Sequence, residues 1–309
     1  MRCALTLLLL CAAACGDDGS TSEWIGTEGD GGPSAGDGDG DGNGDGDGDG
    51  DAAGDGDGDS GDDAGASVGD GDGDGDATGP MFDADGCPTG KGPDMVRIAD
   101  HCVDSTEVTQ AQYLAFLDSG PDLYGQPESC QFYGSFRPSN AGGCADVFDP
   151  AQLGDHPVTC VNWCSGQAFC AWAGKRLCGA TGGGTNEGAR DDAAQSQWYD
   201  ACSMGGATAW VYGDARVAGT CNDNSPSDGT TAVGSLPGCE GGHAGLFDMN
   251  DNVAEWTDEC PLGVDPADDN CAARGGAHDN NSKACDHEQS EKRGYRGNDV
   301  GFRCCGEAQ

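Results

Sequence analysis

The sequence is poor in positive charge. It contains 14 Lys and Arg residues against 55 Asp and Glu residues, which gives a formal net charge of −41 over 309 residues. Because no basic stripe is available to neutralise phosphates, the composition excludes nucleic acid as a partner. For the same reason, electrostatic adhesion to an anionic membrane surface is excluded.

Several common catalytic motifs are also absent. The chain has no Gly-x-Ser-x-Gly elbow, no His-Glu-x-x-His pair and no P-loop. Its five histidines, His101, His156, His243, His278 and His287, show no helical metal-binding spacing. No Cys-x-x-Cys pair occurs, so neither a zinc ribbon nor a thioredoxin-type redox site is indicated.

Residues 1–15 predict an export signal. The apolar run 4–14 follows Arg2 and is shorter than the roughly 20 residues that a membrane-spanning helix needs. The run ends in Ala-Ala-Ala-Cys15-Gly, which resembles the lipobox of bacterial lipoproteins, although Ala12 stands where Leu is usual. The resemblance implies lipidation of Cys15 and an extracytoplasmic, lipid-anchored protein of the bacterial cell envelope, which touches the membrane only through that anchor. The alternative is an ordinary signal peptide that is cleaved near Ala14.

Residues 16–86 predict a disordered tether. Between 36 and 76 the chain is nearly pure Asp-Gly, with almost no apolar side chains to bury and with self-repelling charge. The repeat imitates the start of a calcium-binding loop, but it lacks the closing Glu, so a solvated spacer is favoured over an ordered calcium site. Of the 55 acids, 21 precede Met81 against one base, which leaves 34 acids and 13 bases in the remainder.

Residues 87–305 predict one α+β domain of low regularity, followed by a tail at 306–309. Sixteen of the 19 cysteines lie from Cys87 to Cys305, an even number that allows eight disulfides in an oxidising compartment. Three helices are predicted from capping residues and apolar spacing, at 110–118 after Thr109, at 166–173 after Ser165, and at 195–204. Short strands are predicted at 95–98, 157–161 and 300–304.

Within this domain, a series of segments resembles the formylglycine-generating enzyme (sulfatase-modifying factor) family, in the family's own order. The segments are residues 95–98, 103–109 (VDSTEVT), 156–163 (HPVTCVNW), 169–177 (FCAWAGKRL), 245–256 (GLFDMNDNVAEW), 274–277 (RGGA) and 301–304 (GFRC). The resemblance covers essentially all of 87–305 and implies that family's C-type-lectin-like fold.

The resemblance also implies a site, which is degenerate here. The family's enzymes use a pair of thiols that bind copper to oxidise a protein cysteine to formylglycine, and soft sulfur suits Cu(I). The corresponding positions carry Ala277 in place of Ser, Asn280 in place of the first thiol, and Cys285 at the second. The family's bridges imply the disulfide Cys170–Cys304. For Cys285, a disulfide with Cys202 is favoured over a reactive thiol, and copper is not expected.

A structural calcium ion is expected from the same resemblance. Two loops match the family's calcium positions, and hard oxygen ligands suit this ion. The expected ligands are Asn222, Asp223, Asp228 and Thr230 in one loop, and Asn250, Asp251, Val253 and Glu255 in the other. The alternative is a polar turn whose groups are satisfied by water.

The sequence leaves three functions open. The first is a lipid-anchored binding module for a protein, a peptide or a glycan, which is favoured because Asn280 breaks the thiol pair. The alternative is a formylglycine-generating-type oxidase that modifies a protein cysteine with other ligands, an idea that rests only on analogy between folds. A purely structural envelope protein is a third reading.

Overall fold

The computed structural model describes residues 81–223, 229–261, 269–280 and 283–309. The predicted signal peptide, Cys15, the Asp-Gly segment and Asp228 lie outside the described residues. Within them, no helix is both long and apolar enough to cross a bilayer.

Ten short strands form one two-stranded sheet and two four-stranded sheets. The strands are β1 (Met81–Phe82), β2 (Pro88–Thr89), β3 (Met95–Ile98), β4 (His101–Asp104), β5 (Arg176–Leu177), β6 (Ala254–Trp256), β7 (Asn270–Arg274), β8 (Glu288–Lys292), β9 (Val300–Phe302) and β10 (Cys304–Glu307). The sheets have the orders β1-β2, β3-β4-β10-β5 and β8-β7-β6-β9, and only β6 and β9 pair in parallel. The predicted α+β, disulfide-rich class is confirmed. Strand β1 lies before the predicted boundary at Cys87, and β10 continues past Cys305.

Helix α1 (Gln110–Asp118) has the predicted bounds and the predicted cap. The Oγ1 atom of Thr109 accepts a hydrogen bond from the backbone N–H of Gln112 at 3.2 Å, and the Gln112 side chain accepts one in return from the Thr109 N–H at 2.9 Å. This reciprocal pair is a capping box, which fixes the helix start by satisfying two otherwise unpaired donors.

Helices α2 (Trp163–Trp172) and α3 (Gln197–Ser203) correct the predicted bounds. Helix α2 begins three residues earlier than predicted, because Asn162 is its cap and accepts a hydrogen bond from the backbone N–H of Ser165 at 2.9 Å. Helix α3 begins after its N-cap Ser196 and ends at Ser203, because the next residue, Met204, has a φ of +52° that terminates the helix. The described ranges also contain three turns of 3₁₀-helix, at Glu128–Cys130, Gly142–Cys144 and Pro237–Cys239.

Two of the predicted strands differ in the structure. The segment 157–161 contains no strand but only an isolated bridge between Thr109 and Pro157, because Cys160 adopts a φ of +61° that breaks the extended chain. The predicted strand 300–304 is divided between β9 and β10, which belong to different sheets. The chain passes from one sheet to the other at Arg303, whose side chain is fully buried.

The interior consists of two hydrophobic clusters. The first surrounds α1 and α2 and contains Tyr113, Phe169 and Phe302. Gly166 of α2 faces Phe302, where an added Cβ atom would lie 3.2 Å from the ring, so glycine favours the close approach of helix and strand there. The second cluster contains Trp198 of α3.

All sixteen cysteines of the described residues form disulfides. The pairs are Cys87–Cys102, Cys130–Cys164, Cys144–Cys160, Cys170–Cys304, Cys178–Cys305, Cys202–Cys285, Cys221–Cys239 and Cys260–Cys271. Both pairs that the resemblance implies are among them. Their sequence separations reach 134 residues, so these bonds close long loops that the few regular elements leave open.

Candidate functional site: a degenerate thiol site beside two polar loops

The candidate site lies where the chain leaves β7. Gly275 has a φ of +94°, and a Cβ atom there would come within 2.6 Å of the Met249 carbonyl oxygen, so only glycine allows this approach. The Asp251 N–H donates to the Gly275 carbonyl at 2.8 Å, and the His278 N–H donates to the Asn252 carbonyl at 3.0 Å. These backbone bonds hold the segment after β7 against the polar turn 250–252.

Asn280 closes a tight turn at the position that the resemblance assigns to the first family thiol. Its carboxamide oxygen accepts a hydrogen bond from the Ala277 N–H at 3.3 Å, while its own backbone N–H donates to the Ala277 carbonyl at 3.2 Å. Its Nδ2 atom donates to Asp279 at 3.2 Å. A neutral amide in this role offers hard oxygen and nitrogen atoms, and it carries neither a soft ligand for Cu(I) nor a redox-active group.

Cys285 occupies the second thiol position and is bonded to Cys202 of α3. Both sulfurs are fully buried. A disulfide sulfur lacks the thiolate that acts as nucleophile and metal ligand. None of the three positions inferred from the resemblance therefore presents a free thiol in this structure.

Two histidines, His278 and His287, flank the segment 280–285 in the sequence. His278 is largely buried, and its Nε2 atom lies 3.3 Å from the Asn298 carbonyl oxygen. Burial lowers the pKa of His287, and the cation of Lys283 lowers it further. Nearby, burial and the Asp299 carboxylate raise the pKa of Tyr295 to about 12, and its hydroxyl donates to Asp299 at 3.3 Å. This surface offers hydrogen-bonding groups.

The second of the two predicted calcium loops uses its side chains within the protein. The Asn250 Oδ1 atom accepts a hydrogen bond from the Val211 N–H at 2.9 Å, and its Nδ2 atom donates to the Lys283 carbonyl at 2.9 Å. Both oxygens of Glu255 are bound by Arg303, as described below. Val253 and Asp251 are buried, and Asp251 has a φ of +68°. The side chains of Asn250 and Glu255 therefore do not fit the role of calcium ligands.

The first predicted loop contains one side chain that fits a cation. Asn222 is buried, and its Nδ2 atom donates to the Gly229 carbonyl and to Asn252 Oδ1, each at 3.1 Å. Its Oδ1 atom has no hydrogen-bond donor among the described residues. A buried acceptor without a donor is unfavourable unless an ion or water supplies the partner.

The other members of that loop are already bound. Asp223 pairs with Arg216 at 2.6 Å and accepts the Gly219 N–H at 2.8 Å. Thr230 Oγ1 lies 3.0 Å from His156 Nδ1. Across the described ranges, no three His, Cys, Asp or Glu side chains are grouped so that they could hold a metal ion. Of the predicted ligands, Asn222 thus has the geometry expected of one, and Asp228 lies outside the described residues.

A buried charge cluster, missed in the sequence, lies behind this turn. Arg303 donates through Nε to Glu255 Oε2 and through Nη2 to Glu255 Oε1, both at 2.7 Å, and Trp198 Nε1 donates to Oε2 at 2.8 Å. Burial raises the pKa of Glu107 well above its usual range, and the Asp248 carboxylate raises it further. Burial raises the pKa of Asp248 to about 6. The two motifs that carry Glu255 and Arg303 are visible in the sequence, but nothing in it pairs residues 48 positions apart.

Comparisons with solved structures return several matches of 19% identity. The structure of CarF has a TM-score of 0.44, with coverage of 71% of this chain and 97% of that chain. PvdO from Pseudomonas aeruginosa has a TM-score of 0.46, with 67% and 80% covered, and Treponema denticola variable protein 1 has 0.42, with 70% and 92% covered.

No curated protein sequence matches the chain significantly. The family model described as sulfatase-modifying factor enzyme 1-like domain matches residues 73–308, well over half of the chain. This range includes Arg303, Glu255 and the segment that carries Asn280. The chain therefore belongs to the sulfatase-modifying factor enzyme 1-like family.

Proposed function

We propose that this protein is a lipid-anchored, extracytoplasmic binding module in which a sulfatase-modifying-factor-like domain has lost the thiol pair of its family. The observation that carries the proposal is the state of the two thiol positions. Asn280 closes a turn with Ala277, and Cys285 is held in a disulfide with Cys202. A binding role for a protein, a peptide or a glycan uses the scaffold without redox chemistry.

Copper chemistry at this place needs two soft thiolates, because soft ligands select Cu(I) over harder ions. The amide of Asn280 supplies none. Reduction of the Cys202–Cys285 bond yields one sulfur at the site and a second on α3. The surrounding groups, His278 and Tyr295 among them, favour recognition through hydrogen bonds.

The test is a thiol and copper titration of the purified mature protein. Under denaturing, non-reducing conditions we expect no titratable thiol in residues 81–309, and in the native state no retention of Cu(I) against a chelator. An Asn280→Cys variant is the matched control, since it adds one thiol at the same turn and verifies that the assay detects it. Two titratable thiols with stoichiometric copper, or oxidation of a cysteine peptide, would support the alternative oxidase instead.

The proposed anchor has a separate test. Labelling of producing cells with a fatty acid is expected to mark the wild-type chain and to leave a Cys15→Ser variant unlabelled in the soluble fraction. The support is the Ala-Ala-Ala-Cys15-Gly segment, which resembles a lipobox. An unlabelled wild-type chain whose N-terminus is Cys15, as cleavage after Ala14 would give, contradicts the anchor and leaves the binding role in place.

We also propose a structural calcium ion at the loop that contains Asn222. The support is the buried Oδ1 atom of this residue, which has no donor in the described part of the chain, since calcium takes oxygen ligands of this kind. Calcium is expected to raise the melting temperature of the wild-type protein and to raise that of Asn222→Ala much less. Equal shifts in both proteins, or no shift in the wild type, would overturn this assignment.

A further inference from the structure

A cavity of about 590 Å³ lies beside helices α1 and α2, on a part of the domain that shares no lining residue with the degenerate thiol site. Three aromatic side chains contribute to its wall: Phe116 from α1, Phe136 from the segment between α1 and α2, and Trp172 from α2. A volume of this size falls within the range of about 300–1,000 Å³ that is usual for small-molecule sites. Its walls are mainly apolar, as in such sites.

The aromatic wall is fixed in place by contacts within the protein. The Phe116 ring centre lies 5.4 Å from that of Phe136 and 5.6 Å from that of Trp172. The Tyr113 hydroxyl donates to the Phe136 carbonyl at 2.6 Å. The Cys130–Cys164 disulfide ties the intervening loop to α2. Because these groups are held before a ligand arrives, little conformational entropy is lost on binding.

One polar side chain in the wall of the cavity has an atom without a hydrogen-bond partner. Gln126 lines the cavity and is 7% exposed. Its Nε2 atom donates to the Leu123 carbonyl at 2.9 Å, which fixes the orientation of the carboxamide. Its Oε1 atom is buried and receives no hydrogen bond from any described residue. A buried acceptor in this state favours a ligand that brings an N–H or O–H donor.

The electrostatic environment of the cavity disfavours anions. Asp122 lines it, with Oδ1 accepting the Tyr124 N–H at 2.8 Å. Among the described residues that line the cavity, none is basic, and the Lys91 ammonium, which lies 4.5 Å from the centre of the Trp172 ring, donates to the Trp172 carbonyl at 2.9 Å. From Met81 onward the chain carries 34 acids against 13 bases. A neutral or cationic ligand is therefore favoured over an anionic one.

We propose that this cavity binds a small ligand with a flat apolar body and one N–H or O–H donor, neutral or cationic. The aromatic rings of Phe116, Phe136 and Trp172 contact the flat body, and Gln126 Oε1 accepts the donor. The assignment goes beyond the proposed function, which concerns a protein, a peptide or a glycan as the ligand. Its geometry is independent of Asn280 and Cys285.

The probes are four small aromatic compounds that differ in one property at a time. Indole provides a flat body and an N–H donor, benzothiophene has a similar shape without the donor, tryptamine adds a cation, and indole-3-acetate adds an anion. Binding to the mature wild-type protein is measured by chemical-shift perturbation in NMR. Indole and tryptamine are expected to bind, benzothiophene about tenfold more weakly because the hydrogen bond is missing, and indole-3-acetate more weakly than indole.

Two variants locate the binding. Ala171 is an exposed residue of α2 that lines the cavity, so Ala171→Trp fills the space and is expected to abolish binding. Ala194→Trp is the matched control, since Ala194 is also exposed and lines a different surface depression. Gln126→Leu is expected to reduce the affinity for indole to that of the wild-type protein for benzothiophene. If that variant does not fold, Gln126→Glu keeps the shape, and it is expected to strengthen tryptamine relative to indole.

Three results would overturn the assignment. They are equal binding of indole and benzothiophene, equal effects of Ala171→Trp and Ala194→Trp, and absence of shifts with every probe at millimolar concentration. These outcomes are separate from a failure of the proposed function, because titratable thiols and copper retention are read from a different assay and concern different residues.

Discussion

The ion pair between Glu255 and Arg303 is expected to carry a large share of the stability of the domain. Both side chains are buried, and the two charge-assisted hydrogen bonds between them measure 2.7 Å each. Glu255→Gln preserves the shape but leaves the guanidinium buried without its counter-charge. Removal of one partner from a buried pair usually lowers the free energy of unfolding by about 3–5 kcal/mol.

Neighbouring carboxyl groups place the expected loss near the lower end of that range. The charge of Glu255 contributes to the raised pKa of both Glu107 and Asp248, after burial as the main cause. Without Glu255 their pKa values fall, so one of these carboxyls ionises more readily and partly replaces the lost counter-charge of Arg303. We therefore expect a loss of about 3 kcal/mol at neutral pH.

The assay is equilibrium unfolding in guanidinium chloride, with the disulfides intact and with tryptophan fluorescence as the signal. Glu307→Gln is the matched control, because Glu307 pairs with Arg176 at a half-exposed position, where the expected loss is below about 1 kcal/mol. Each protein is measured with calcium and with a chelator. A loss for Glu255→Gln as small as that of the control would refute a stabilising role of the ion pair. A loss that disappears in the chelator would refute it as well, and would indicate that Glu255 is a calcium ligand.

Three further perturbations follow from the same structure. Burial raises the pKa of Asp248 from 3.8 to about 6. Its contribution to stability is therefore present below about pH 4 and is lost as the pH rises through about 6. The melting temperature of the wild type should fall with pH across this range, and that of Asp248→Asn should change less. Replacement of both Cys202 and Cys285 by Ser opens a bond that spans 83 residues and should lower the free energy of unfolding by about 2–4 kcal/mol, and an unchanged midpoint in denaturant would contradict this. Tyr113→Phe removes the buried 2.6 Å hydrogen bond to the Phe136 carbonyl and should lower stability by about 1 kcal/mol, measured as a shift in the same midpoint against wild type.

Helix α1 shows what local sequence signals can predict. Thr109 and Gly120 mark its ends, and both bounds agree with the structure because the signals lie within one helical turn of the boundary. The sequence places the start of α2 three residues too late, because serine is also a preferred N-cap residue and Ser165 is taken as the cap. In the structure the carboxamide of Asn162 takes that role. Two competing local signals of similar strength could not be ranked without the tertiary contacts that bury Trp163.

Long-range pairing explains most of what the sequence did not predict. Strand β8 has the sequence Glu-Gln-Ser-Glu-Lys, with no apolar residue, and it is a strand because it pairs along its whole length with β7. The same limit applies to the site. The motif around Glu255 suggested a metal ligand, whereas its partner is Arg303, and a contact between distant segments leaves no periodic trace in either one.

The placement of the disulfides explains how a domain of this family accepts Asn280. Cys304 and Cys305 are adjacent on β10, so their side chains point to opposite faces of the strand. Cys304 joins Cys170 in the first hydrophobic cluster, and Cys305 joins Cys178 in the second. The two clusters are thus cross-linked through one strand, and neither bond involves the thiol positions. The turn at Asn280 lies outside both clusters, so these two cross-links do not depend on the residue at this position. A scaffold cross-linked in this way is suited to binding at other surfaces, and the cavity proposed as a ligand site beside α1 and α2 is one such surface.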